Sequence, residues 1–136
     1  DFLDREKELG LNKFKIYEDF SKKVDQIKNN VKKNITGLKS NKKTIVGYGS
    51  PAKATTALNF YNVSKEIDFI IEDNFLKQEK FLPGVKIPIK SKKFLKNKPD
   101  YLLVLAWNFF EDIKKNNIDL AKNIISINID IRNISK

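Results

Sequence analysis

The chain has 136 residues, the size of one domain, with no cysteine, no histidine and no methionine, and a formal charge of +10. Lack of cysteine excludes disulfides and thiolate chemistry, and lack of histidine removes the commonest metal ligand and the usual general base near neutral pH; no metal is expected. No run approaches the roughly eighteen apolar residues of a membrane span, the charged start Asp1–Glu8 is no signal peptide, and the expected location is cytoplasmic.

Residues 1–10 are charged and close on Gly10, which reads as a frayed or helical lead-in. From Leu11, apolar residues fall at Phe14, Tyr17, Phe20, Val24, Ile27, Val31, Ile35 and Leu38. Steps of three and four predict a long amphipathic helix, stopped by Gly37 and Lys39-Ser40-Asn41. It either packs on its own domain or connects from a preceding one. Residues 43–48 read as a short buried strand, and Pro51 suits the first turn of a helix running through Ala52 to Tyr61, ended by Asn62. A second strand is predicted over 67–71, closing on the turn Glu72-Asp73-Asn74. Phe75 to Lys80 is polar, with room for a helical turn. Leu82-Pro83-Gly84 is a turn, and Val85 to Ile89 an extended segment kept at a sheet edge by Pro88. Ser91 caps a short helix to Lys96. Tyr101–Ala106 is a continuous apolar run, as expected of a strand covered on both faces. Asn108 caps a helix over 109–117, and Ile124 to Asn128 is the last strand; the tail to Lys136 carries no clear pattern.

Strands alternating with helices predict an α/β fold: Rossmann-like, a mostly parallel sheet flanked by helices, preceded by the long N-terminal amphipathic helix. The expected division is a helical segment or connector over 1–42 and the α/β domain over 43–136. Right-handed crossovers bring the loops after Tyr48, Ile71 and Ala106 to one sheet edge, where ligands of open α/β sheets bind.

The first strand runs into Gly47-Tyr48-Gly49-Ser50-Pro51-Ala52-Lys53. Glycines allow a tight turn and close approach, while a helix N-terminus offers free N–H groups and partial positive charge. A phosphate or carboxylate fits there, with Lys53 adding charge. The third glycine of the dinucleotide fingerprint is absent, so a tight turn without a ligand is the alternative. Glu72-Asp73 follows the second strand roughly twenty residues on, the place of a ribose-binding acid in dinucleotide folds, or else is a solvated acidic turn. Trp107, the sole tryptophan, stands with Asn108 at the end of the third strand, to stack on a ring or to cover the core edge. No catalytic constellation emerges. The basic excess is almost all lysine, with only Arg5 and Arg132, and the chain is rich in Asn and Ile. A/T-rich coding explains that better than nucleic-acid binding, which favours arginine.

Several segments in order resemble the C-terminal domain of the SAM-dependent C-methyltransferases that act on nucleotide-linked deoxysugars. They are Gly47–Lys53, Thr56 to Phe60, Asp73-Asn74 with Lys77-Gln78, Leu82-Pro83-Gly84 with Ile87-Pro88-Ile89, and Pro99-Asp100-Tyr101 through Ala106-Trp107-Asn108-Phe109. One departure is Ala54-Thr55, where typical members carry Gly-Asn. The resemblance implies a three-part protein with a zinc-binding piece, a central domain that binds S-adenosyl-L-methionine and performs the chemistry, and this domain. The absent methionine fits a piece of such a chain.

The implied role is substrate binding, with no catalytic residue in this piece and the central domain of the same chain as partner. A nucleotide-sugar is the implied ligand. Gly47, Tyr48, Gly49, Ser50, Pro51, Ala52, Lys53 and Thr55 would hold its phosphate side. Glu72 or Asp73 would take a hydroxyl of the ribose or sugar, Trp107 and Asn108 would line the rim, and Asn74, Pro83 and Gly84 complete the expected ligand-binding set. The alternatives are a stand-alone nucleotide-binding or regulatory module and, less favoured, a nucleic-acid binder. No membrane partner is expected.

Overall fold

The structure is a computed structural model and describes residues 1–128; the patternless tail beyond Asn128 lies outside the described residues. The chain divides into two compact units, residues 1–30 and those from Val31 onward. The first unit holds helix α1 (Phe2–Glu8), a turn at Gly10 with φ +72°, and the beginning of α2 (Phe14–Ser40). Salt bridges from Lys15 to Glu18 and Asp19, and from Lys22 to Glu18, brace α2 at helical spacing. Residues 1–30 carry seven acidic and seven basic side chains, so the +10 excess belongs wholly to the rest of the chain.

The second unit is built on a five-stranded sheet: β1 (Ile45–Tyr48), β2 (Ile70–Ile71), β3 (Ile89–Lys90), β4 (Tyr101–Val104) and β5 (Asn123–Ser126). Its order is β3-β2-β1-β4-β5 and every pairing is parallel. The α/β, Rossmann-like architecture expected from the sequence is therefore present. Helix α3 (Ala52–Tyr61) follows β1, and α4 (Phe110–Asn116) follows β4 after a 3-10 turn at Trp107–Phe109.

Alternation along β1 explains its two buried faces. Ile45 joins a core with Val31, Ile35, Ala54, Leu58, Ile70, Leu103 and Leu105. Val46 and Tyr48 join the other, with Ile71, Leu102 and Ala121. Fully burying each large aliphatic contributes about 1.5–3 kcal/mol, so these interiors hold the sheet to its helices. Val31 and Ile35, on the predicted apolar stripe of α2, are buried in the first core.

Several boundaries differ from the sequence reading. Gly37 does not stop α2, because it lies in the helix with nothing near its missing side chain. The stop is Lys42, in the left-handed region at φ 57°. The Lys43 and Lys42 N–H groups bond back to Leu38 and Lys39, the closing pattern usually served by glycine. Pro51 precedes α3 in extended backbone, and Asn62 ends that helix in the left-handed region as expected.

The second strand is shorter as a ladder than its apolar run, although Asp68 N–H and Phe69 C=O already bond to β1. Residues 91–96 form only a 3-10 turn, Lys92–Phe94, and the Ser91 side chain makes no cap. Asn108 is no cap either: it sits inside the 3-10 turn, which displaces the start of α4 to Phe110. Pro88 does lie at the sheet edge, bridging Phe81 antiparallel while its carbonyl accepts from Ile70.

Candidate functional site

A parallel sheet places all strand ends on one edge, and here that edge carries an open cleft of about 510 Å³. The loops after β1, β2 and β4 all reach it, through Tyr48 to Pro51, Glu72 with Asp73, and Ala106. The loop after β3 adds Lys92, and α4 forms the far wall with Asp112 and Asn116.

Glycine is required at two points of the turn. Gly49 has φ +81°, and a Cβ there would stand 3.2 Å from the Ala106 Cβ, so the β1 and β4 loops could not approach. Gly47 lies within β1, where a Cβ would meet Ile70 at 2.9 Å and Leu105 at 3.2 Å. Its role is packing beneath the turn.

The Gly49 and Ser50 donors of the turn are engaged from within the protein, the Gly49 N–H by the Ile71 carbonyl. Glu72 Oε2 accepts from the Ser50 N–H at 2.9 Å and the Ser50 hydroxyl at 2.5 Å. Its other oxygen accepts the Asn74 N–H at 3.0 Å. Lys77 donates to the Ser50 carbonyl at 3.1 Å and lies 3.9 Å from Glu72, while Gln78 donates to the Glu72 carbonyl at 2.7 Å. The β2 loop is thus stitched to the glycine turn. Burial pushes the Glu72 carboxyl up, but the Ser50 and Asn74 donors and Lys77 together outweigh it and hold the group below its ordinary value.

A second cluster stands beside it. The Tyr48 hydroxyl donates to Asp73 at 2.5 Å, and Lys92 lies 3.2 Å from the same carboxylate and over the Tyr48 ring. Burial, reinforced by the bond to Asp73, raises the Tyr48 phenol above its usual value. For Lys92, burial acts downward, yet Tyr48 and Asp73 outweigh it and raise the amine. Both groups therefore keep their protons at neutral pH.

The remaining sequence-predicted residues are distributed more widely. Ala52 opens α3, exposed. Lys53 does not line the cleft; its amine lies 4.4 Å from the centre of the Trp107 ring. Trp107 and Asn108 line a neighbouring cavity of about 470 Å³, which shares Phe109 and Asp112 with the cleft. Thr55, Pro83 and Gly84 meet along α3, where the Asn59 amide bridges the Thr55 and Pro83 carbonyls. Gly84, at φ +76°, leaves room for that amide, with which any Cβ would collide. Ala54, at the departure from Gly-Asn, is wholly buried in the first core.

Sequence reading missed Lys92, Asp112 and Asn116. Lys92 had a signal: the loop after β3 is a fourth strand end on the same edge. Among the described residues no group of acids could hold a metal ion, and no helix is long and apolar enough to cross a membrane.

The family model described as the C-methyltransferase C-terminal domain matches residues 1–127. The chain belongs to that family. The match reaches beyond the motifs of residues 45–113 and takes in both N-terminal helices. The C-methyltransferase NovU of Streptomyces niveus is 31% identical over 125 residues. The alignment covers 90% of this chain and 30% of NovU, so the chain spans under a third of that relative's length.

Proposed function

We propose that this chain is the substrate-side domain of a SAM-dependent C-methyltransferase acting on a nucleotide-linked sugar. Residues 43–136 form the substrate domain, and residues 1–42 lead into it from the domain that performs the chemistry. The observation that carries the reading is the family match, joined to an open cleft with charged side chains in its wall, at the sheet edge where such folds bind ligands.

The cleft suits a hydroxyl-rich, charged substrate. Asp73 offers a carboxylate to hydroxyls, with Tyr48 and Lys92 as donors around it. Asp112 and Asn116 face it from α4. Glu72 already accepts from Ser50 and Asn74, so recognition of hydroxyls falls to Asp73. The methyl donor belongs in the other domain, and no step of the transfer is assigned to residues of this chain.

The test is turnover. The chain alone, given S-adenosyl-L-methionine and a keto-sugar nucleotide, is expected to form no methylated product; product formation would overturn the assignment of chemistry elsewhere.

A further inference from the structure

Three lysines stand on the cleft edge of the sheet, and their surroundings separate them. Lys53 follows the glycine turn and is the cation that sequence would choose for a ligand's phosphate. Its amine instead lies over the Trp107 ring, outside the cleft. Lys77 lines the cleft but is tied to the turn, donating to the Ser50 carbonyl and neighbouring Glu72. The Ser50 donors are no freer, since the Glu72 carboxylate occupies them as an internal anion.

Lys92 is different. Both lysines line the cavity and are similarly exposed, 45% for Lys77 and 42% for Lys92, but Lys77 neighbours a Glu72 carboxylate that is 13% exposed, whereas Lys92 pairs with Asp73, which is 59% exposed. An ion pair so open to water is weak and exchangeable. Lys92 lines the cleft together with Asn116 of α4. No bound ion is needed to see the contrast, because it lies in what each amine already touches.

We propose that Lys92, rather than Lys53 or the glycine turn, is the cation that holds the substrate's diphosphate, and that Asp73 positions it when the cleft is empty. This deepens the substrate reading and rests on it. On binding, the diphosphate replaces Asp73 as the partner of Lys92. Asp73 is then released toward a sugar or ribose hydroxyl, with the Tyr48 phenol still donating to it. The glycine turn keeps its Glu72 bond throughout and shapes the wall without touching phosphate.

The experiment is calorimetric titration of the chain with uridine diphosphate, using Lys92→Ala, Lys92→Arg and Lys53→Ala, each checked for an unchanged melting temperature without ligand. Lys92→Ala is expected to weaken binding at least tenfold. Lys92→Arg and Lys53→Ala should stay within threefold of wild type. A larger loss from Lys53→Ala than from Lys92→Ala, or no loss from Lys92→Ala, overturns the proposal while leaving a nucleotide-binding domain intact. Absence of any binding by the wild-type chain at millimolar ligand contradicts both the proposal and the substrate reading.

Discussion

Replacing Glu72 by alanine removes the acceptor of three donors at once: the Ser50 N–H, the Ser50 hydroxyl and the Asn74 N–H. The Glu72 side chain is only 13% exposed, so water replaces that acceptor incompletely. Hydrogen bonds to a charged group are worth about 1.5–3 kcal/mol each, but relief of carboxylate burial and partial hydration offset much of the sum. A net loss of about 2–4 kcal/mol remains. At about 4 °C per kcal/mol for a chain of this length, the melting temperature should fall by about 8–16 °C. Glu72→Gln keeps one acceptor oxygen and should fall less.

The pH dependence has a definite sign. A carboxyl held below its ordinary value stabilises the fold above that value and loses the contribution as pH falls through its folded one. The gap between wild type and Glu72→Ala should therefore be full above about pH 5.5 and close as pH drops below the ordinary 4.5. Thermal melts from pH 3 to 8 measure it. A fall of under about 3 °C at pH 7, or a gap that widens in acid, would refute the strut role.

Gly47→Ala should destabilise by about 1–3 kcal/mol, through contact with Ile70 and Leu105 at the sheet centre, measured by urea unfolding. Gly49→Ala combines a positive φ with the Ala106 contact and should cost about 1–3 kcal/mol in the same assay. Leu58→Ala, at a position with no exposure in the first core, should cost about 2–5 kcal/mol. The Tyr48 phenol should ionise above its ordinary value of 10 in an ultraviolet titration, and Tyr48→Phe should reduce the amplitude of that high-lying step, to which Tyr61, also raised by burial, still contributes. Because that value is raised by folding, its stabilising contribution is present below pH 10 and lost as pH rises past it.

Local chemistry was legible wherever one residue decides the backbone. Asn62 closes α3 in the left-handed region, Gly49 turns the chain after β1, and the apolar run at 101–106 marks a strand with both faces covered. Legibility failed where a tertiary partner decides. Lys42 takes the left-handed stop of α2 that a glycine would advertise, so Gly37 misled. Asn108 offers a good cap, yet the chain enters a 3-10 turn and never uses it.

At the site, sequence located the sheet edge and the cleft residues that follow β1 and β2, because parallel topology fixes where strand ends lie. It could not show that Glu72 reaches 22 positions back to Ser50, or that Lys53 turns aside to Trp107. Both are choices of side-chain direction, and no spacing rule encodes them. Pro83-Gly84, expected among the ligand-binding residues, packs against Asn59 on α3, a contact that no spacing rule encodes either.

In the proposed function this domain holds the substrate and leaves the methyl donor to another. Its most direct test is paired calorimetric titration of the chain with a nucleotide-linked keto-sugar and with S-adenosyl-L-methionine. Saturable binding of the sugar nucleotide and none of the methyl donor is the expected result. Saturable binding of S-adenosyl-L-methionine without binding of the sugar nucleotide would contradict it.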